Sequence, residues 1–339
     1  MPKPKVFIVI SGRDRDLFFT QRVRDTLASF ADLIYNDREK RMTSAEFGER
    51  IAGCEAVITG WGSPKFTPEV LQAAKSLKIV SHAGGSVRFL MPDPPSDFYR
   101  RGVRITCATP VMSRYVAEYT LCLVIACLRR VSYYRDAMRD TPYWYERGDV
   151  AFPADTIFEQ RIGMVGLGLI SWEFVRLVKP YGCELWAYSK YGDAERAAAE
   201  AVKLVDLDTL LRECPIICLF AAVRPDTIGM ISRERLKMIQ DGAVFINTAR
   251  GQLIDEPALI EELKTGRLFA GIDITYPEPP EADNPLRTLP NVLLSPHISG
   301  PTPTRYYEFA EYAVEELRRF FSGEPLRGEV TEKRLQGMA

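Results

Sequence analysis

Only two histidines, His82 and His297, occur among the 339 residues, so a histidine acid or base has just two candidates. His297 follows Val292-Leu-Leu-Ser-Pro, at what should be the carboxyl end of a strand, the edge where open α/β sheets hold ligands. His82 closes another apolar run just before Gly84-Gly85 and reads equally well as a hydrogen-bonded core residue. Arg250 ends Phe245-Ile-Asn-Thr-Ala-Arg250, a strand running into a turn. A guanidinium there can grip a carboxylate through two parallel hydrogen bonds, or simply form a surface ion pair. Glu278, in Asp273-Ile-Thr-Tyr-Pro-Glu278-Pro-Pro, is not distinguished by position alone from a solvated loop carboxylate.

Gly166-Leu-Gly168-Leu169-Ile170-Ser171 stands directly after Ile162–Val165 and before the helical run Trp172–Val178, the strand, turn and helix context of a dinucleotide site. Gly166 permits the tight turn, Gly168 lets the backbone approach a pyrophosphate, and the helix start at Leu169 and Ile170 offers free N–H groups to it. Ser171 takes the place of the third glycine. The next strand, Cys183–Tyr188, ends in Ser189-Lys190, where a free ribose hydroxyl usually meets Asp or Glu. Without that carboxylate nothing repels a 2′-phosphate. Lys190, with Arg224 from a neighbouring strand end, supplies positive charge, which favours NADPH over NADH; a solvated Lys190 and dual use is the alternative. Trp61, in Gly60-Trp61-Gly62, is a candidate pocket wall or an ordinary core or surface aromatic.

These residues need two layered sheets to position them. At roughly 150 residues per domain the length suits two domains. In the first hundred residues, strand-like runs (Lys5–Ile10, Ala56–Thr59, Lys78–Ser81) alternate with helical stretches near 16–29, 44–52 and 68–75, the rhythm of a parallel sheet covered by helices. The rhythm restarts at Arg161, with strands at Arg161–Val165, Glu184–Tyr188, Ile216–Phe220, Ala243–Asn247, Leu268–Asp273 and Val292–Ser295. Between them, a helix from about Val111 to Arg130 is apolar on nearly every side and must be covered by protein. A last helix, Arg305–Phe321, is expected to return to the first domain. The expected fold is α/β: two doubly wound parallel sheets with a cleft between them. A flavodoxin-like substrate domain would take 1–104 plus 300–339, and a Rossmann dinucleotide domain 105–299.

Lys plus Arg (44) nearly cancel Asp plus Glu (45), which leaves no overall basic field for nucleic acid. No uninterrupted apolar run approaches the roughly 20 residues of a membrane span, and no signal peptide is recognisable. The expected compartment is the cytoplasm. Seven cysteines, without a Cys-x-x-Cys pair, read as reduced core residues, so neither disulfides nor a metal site are expected.

As a set, Gly166-Leu-Gly168, Asn247-Thr-Ala-Arg250-Gly with Leu253-Ile-Asp-Glu, Asp273 followed five positions on by Glu278-Pro, and Ser295-Pro-His297 resemble the D-isomer-specific 2-hydroxyacid dehydrogenases over nearly the whole chain. The resemblance implies NAD(P)-dependent reduction of a 2-oxoacid to a D-2-hydroxyacid. Arg250 would bind the substrate carboxylate and carbonyl, His297 would be the acid/base, and Glu278 its partner. Asp273 would contact the nicotinamide end, with Ala222, Val223 and Thr248 also beside the cofactor. The loop Ala83-Gly84-Gly85-Ser86-Val87 would hold the carboxylate through its N–H groups. Arg88, Ala222 and Met112 depart from the family pattern and bear on which substrate is taken; Arg88 is either an extra cation for a more anionic substrate or a structural pair. A dinucleotide-sensing scaffold on the same fold is the rival from another class, and turnover separates the two. A homodimer is expected, from the apolar helix, from the aromatics Tyr133, Tyr134, Tyr143, Trp144 and Tyr145, and from the family's habit of pairing there.

Overall fold

The computed structural model describes residues 2–92, 94–140, 154–336 and 338. Tyr143, Trp144 and Tyr145 lie outside them. The chain divides into two compact units, Met1–Met112 with Pro301–Ala339, and Ser113–Gly300.

The first unit is built on five parallel strands, β1 (Lys5–Ile8), β2 (Asp32–Tyr35), β3 (Ala56–Thr59), β4 (Ile79–His82) and β5 (Arg104–Cys107), in the order β2-β1-β3-β4-β5. This is the flavodoxin-like order, whose switch point falls between β1 and β3. Two edge strands, β2 and β5, escaped the sequence reading. The helical stretch expected over 16–29 is two helices, Gly12–Phe18 and Gln21–Phe30; the second is capped by the Thr20 hydroxyl, which accepts from the Val23 amide. Helix Tyr306–Phe321 packs on the same sheet, where Ser81 Oγ donates to the Ala313 carbonyl at 3.0 Å. Within that helix the buried Glu316 carboxylate accepts from the amides of Arg327 and Gly328. It thereby lays the C-terminal segment along β5, where Val330 N donates to Ile105 O.

The second unit holds seven parallel strands: β6 (Arg161–Val165), β7 (Glu184–Tyr188), β8 (Val202–Leu204), β9 (Ile216–Leu219), β10 (Val244–Asn247), β11 (Phe269–Ile272) and β12 (Val292–Leu294). Their order, β12-β11-β10-β9-β6-β7-β8, reverses direction between β6 and β9, the crevice where such sheets take ligands. Strands β9, β10 and β11 are buried along their whole length, which their near-continuous apolar sequence reflects. Helix Thr109–Leu128 is long and apolar enough to cross a membrane by length and composition, although Arg114 and Glu118 interrupt its apolar run. Its residues Ala117, Leu123, Val124, Cys127 and Leu128 nevertheless belong to the core of this unit, and Thr120 bonds Thr248. It is not covered all round: Cys122 is exposed, and Leu121 and Ile125 are partly so. All seven cysteines are free, and Cys122 is the one that is not at least partly buried.

His82, at the end of β4, is fully buried. Its Nδ1 lies 3.0 Å from the Thr59 hydroxyl, while Nε2 has no hydrogen-bond partner among the described residues. Burial pushes its pKa down to about 3 from the ordinary 6.5. The ring therefore stays neutral in the folded protein, whereas the unfolded chain takes up a proton below 6.5. The His82 contribution to stability is complete above that pH and is lost as pH falls towards 3. Between pH 7 and pH 5.5, urea unfolding should show a loss of about 1 kcal/mol from this group, absent in His82→Asn. Equal pH slopes in the two proteins would show that His82 is not held neutral.

Candidate active site

Gly166 follows β6 with φ 104°, in the left-handed region, and a Cβ there would lie 2.7 Å from the Ala221 amide nitrogen and 2.8 Å from the Phe220 carbonyl carbon. Because both obstacles are backbone, only glycine lets the two switch-point strand ends come this close. At Gly168, by contrast, a Cβ would meet nothing within 4 Å, so this face of the turn is open. The helix Leu169–Val178 starts there, and its first N–H groups lack intrahelical acceptors. Ser171, the departure from a third glycine, is fully buried; its hydroxyl donates to Gly166 O at 2.8 Å and accepts from Gly168 N at 3.4 Å. An open glycine face beside a helix start, closed from behind by a hydroxyl, fits a dinucleotide pyrophosphate.

Lys190 and Arg224, the two cations expected near the adenosine ribose, are paired within the chain. Both bond Asp226, with Lys190 Nζ 3.0 Å from Oδ2 and Arg224 Nε 3.1 Å from Oδ1. These bonds, Lys190 first, hold the Asp226 carboxyl below its usual range. The only sequence signal for Asp226 was a polar turn two residues beyond Arg224. Thr227 fixes that turn: its hydroxyl donates to Ala222 O and accepts from Arg224 N, each at 2.8 Å, and so sets the path through Ala222 and Val223.

The ends of β10, β11 and β12 carry the remaining candidates. After β10, Asn247 is fully buried; its Oδ1 accepts from Ala249 N, and its Nδ2 donates to the carbonyls of Arg250 and Ile274. Thr248 is tied to Thr120 at 2.8 Å. Arg250 donates from Nη1 to Ala249 O at 2.6 Å, and its other donors have no protein acceptor among the described residues. Burial lowers its pKa from the usual value, opposed by the charge of Glu278.

Asp273, 1% exposed, accepts from the Ser295 hydroxyl (2.6 Å) and from the amides of Ile298 and Ser299 (2.9 Å each). Its own carbonyl accepts from His297 N at 2.9 Å. Sequence reasoning put Asp273 at the nicotinamide; here its carboxylate is engaged by the loop that carries the histidine. Burial raises the pKa of the Tyr119 phenol. Held by Asp273, His297 adopts φ 53°, uncommon for a residue other than glycine. Its Nδ1 lies 2.7 Å from Glu278 Oε1, and both side chains are more than two-fifths exposed. An ionised Glu278 accepts the proton of Nδ1, which leaves Nε2 as the ring nitrogen without a hydrogen bond among the described residues.

The first unit carries Trp61 and the Gly84-Gly85-Ser86 loop. Trp61 follows β3 at the switch point, and its ring packs on Phe18, Tyr306 and Phe309 with centroids 5.2–5.6 Å apart while 37% of the residue remains exposed. A Cβ on Gly84 would lie 2.4 Å from His82 Nε2, so the buried imidazole demands glycine in this loop. Arg88 donates to the Met338 carbonyl at 3.2 Å, which makes it a tie to the C-terminal segment.

Residues 121–299, just over half the chain, match the family model of the D-isomer specific 2-hydroxyacid dehydrogenase NAD binding domain. The chain belongs to the D-isomer specific 2-hydroxyacid dehydrogenase family. It is similar to the D-3-phosphoglycerate dehydrogenase of Archaeoglobus fulgidus, 29% identical over 85% of this chain and 54% of that protein, and so spans about half the length of this relative. The hydroxypyruvate reductase of Thermotoga maritima is 28% identical over 80% of this chain and 87% of its own. In fold, the chain is similar to the D-mandelate dehydrogenase of Rhodotorula graminis, with a TM-score of 0.83, 24% identity and 98% of each chain covered.

In this family member Asp273→Asn would oppose an amide NH2 to at least one of the loop's donors. Urea denaturation should show a loss of about 1–3 kcal/mol, the cost of a buried donor left unsatisfied. Unchanged stability would mean that Asp273 does not hold the histidine loop.

Proposed function

We propose that the chain is an NAD(P)-dependent dehydrogenase that reduces a 2-oxoacid to a D-2-hydroxyacid and runs in reverse. The observation that carries this reading is the His297–Glu278 pair, 2.7 Å apart at the carboxyl edge of a dinucleotide-type sheet whose neighbouring strand end presents Arg250. Gly166, Gly168 and the helix start at Leu169 and Ile170 would hold the pyrophosphate, Ser189 and Lys190 the adenosine ribose, and Ala222, Val223 and Thr248 the stretch beyond. A bound nicotinamide supplies or takes up the hydride at the substrate's C2. His297 Nε2 gives a proton to the carbonyl oxygen during reduction and removes it from the hydroxyl during oxidation. Glu278 fixes the tautomer and stabilises the imidazolium through Nδ1. The unengaged donors of Arg250 take the substrate carboxylate and stabilise charge growing on oxygen. Asp273 acts through the loop it folds, as a positioning residue.

For the cofactor, the reading is NADPH in preference to NADH, because Ser189-Lys190 ends β7 without a carboxylate and Arg224 adds a second cation. For assembly it is a homodimer: Leu121, Cys122 and Ile125 leave an apolar stripe on helix Thr109–Leu128, and Val131 and Met138 in the next helix are half exposed. Sedimentation should give the mass of two chains; one chain at every concentration would overturn the dimer.

Nicotinamide absorbance with glyoxylate, hydroxypyruvate, pyruvate and bulkier aliphatic and aromatic 2-oxoacids, each with both cofactors, tests the activity. Turnover is expected with at least one acid, and His297→Ala should lower it by about two to four orders of magnitude while cofactor affinity stays within about twofold. No turnover across the panel would overturn the reading, as would a variant within about tenfold of the parent.

A further inference from the structure

Lys190, after β7, and Arg224, beyond β9, are already paired within the chain, with one positive charge in excess. Lys190 and Arg224 share the Asp226 carboxylate, one on each oxygen, and both lie over the Tyr191 ring, with Arg224 Cζ 4.7 Å and Lys190 Nζ 5.5 Å from its centroid. Tyr191 is 70% exposed, so the cluster faces solvent. Arg224 is anchored differently from the anion. Thr227 pins the backbone of Arg224 through its hydroxyl, and a second bond runs from Thr227 N to Arg224 O. The Asp226 carboxylate, by contrast, bonds no backbone amide among the described residues, where the two cations hold it.

Two cationic donors, one of them on a pinned backbone, around one replaceable anion make an exchange site. We propose that Asp226 is a specificity-determining residue, an internal counterion that competes with the 2′-phosphate of NADPH for Lys190 and Arg224 and so restrains the preference those cations would otherwise confer. The proposal rests on the dinucleotide reading given above. A phosphomonoester carries up to two negative charges and three acceptor oxygens, against one charge and two oxygens on the carboxylate, so it can displace Asp226. Exposed ion pairs are individually weak, which keeps the exchange easy, but the displaced carboxylate stays tethered near the phosphate and repels it. NADH carries no phosphate at this position, leaves the triad intact and is indifferent to Asp226.

The test is direct binding, without turnover. Fluorescence titration should show Asp226→Asn binding NADPH about threefold to tenfold more tightly than the parent, with NADH within about twofold. Adenosine 2′,5′-bisphosphate should gain in the same proportion and 5′-AMP should not, which assigns the effect to the phosphate. The gain should shrink at high salt as the repulsion is screened. Asp226→Ser provides a second variant should the first fold poorly, and the same gain is expected. NADPH affinity that is unchanged or weaker in both variants overturns the proposal while leaving the dinucleotide site standing. A parent that binds neither cofactor overturns both.

Discussion

A buried carboxylate must have its charge met by hydrogen bonds, and at Asp273 those among the described residues come from a single short loop. Ser295, Ile298 and Ser299 all donate to it, and the His297 amide donates to its carbonyl. The loop cannot relax without stranding the charge, so the chain accepts a left-handed backbone at His297, between the two anchored stretches. Strand β12 is thereby locked to β11 beyond the end of their ladder, and the imidazole is delivered to Glu278. Neither side chain of that exposed pair is held by burial. Its geometry is inherited from the acid beneath it.

Topology does the same for the dinucleotide turn. Seven parallel strands that reverse order between β6 and β9 open a crevice at their carboxyl ends, and the approach of Gly166 to Ala221 shows how tightly those ends are drawn together. The reactive groups at the ends of β10, β11 and β12 share this edge because parallel strands all finish on one side. One sheet therefore brings a phosphate-type turn and an acid/base pair to the same rim, although more than a hundred residues separate Gly166 from His297.

Most of this frame is legible in the amino-acid sequence, and what is not has a common cause. Central strands such as Ile216–Leu219 and Val244–Asn247 are covered on both faces, so their residues are almost uniformly apolar. The three strands that escape, Asp32–Tyr35, Arg104–Cys107 and Val202–Leu204, are short edge strands whose apolar runs are begun or broken by a charged residue, Asp32, Arg104 or Lys203. Helix Gln21–Phe30 merges with its predecessor in the sequence because the signal that splits them is a lone Thr20 cap. In the site, the order and spacing of Arg250, Glu278 and His297 select them together, whereas none stands out alone. Asp226 is illegible because its importance lies in two partners, one of them 36 residues away. Asp273 can be seen, but that its carboxylate is spent on the 295–299 loop requires three-dimensional knowledge of that loop.

The serine that closes the glycine turn has a thermodynamic consequence. Glycine-rich loops are ordinarily pliable, and an anion that binds one must first suppress its many conformations. Here the Ser171 hydroxyl ties Gly166 to Gly168 before any anion arrives, so the entropy of ordering the loop is lost once, during folding, and shared with the cooperative core. A pyrophosphate would then meet a loop already ordered, and more of its binding enthalpy would survive as affinity.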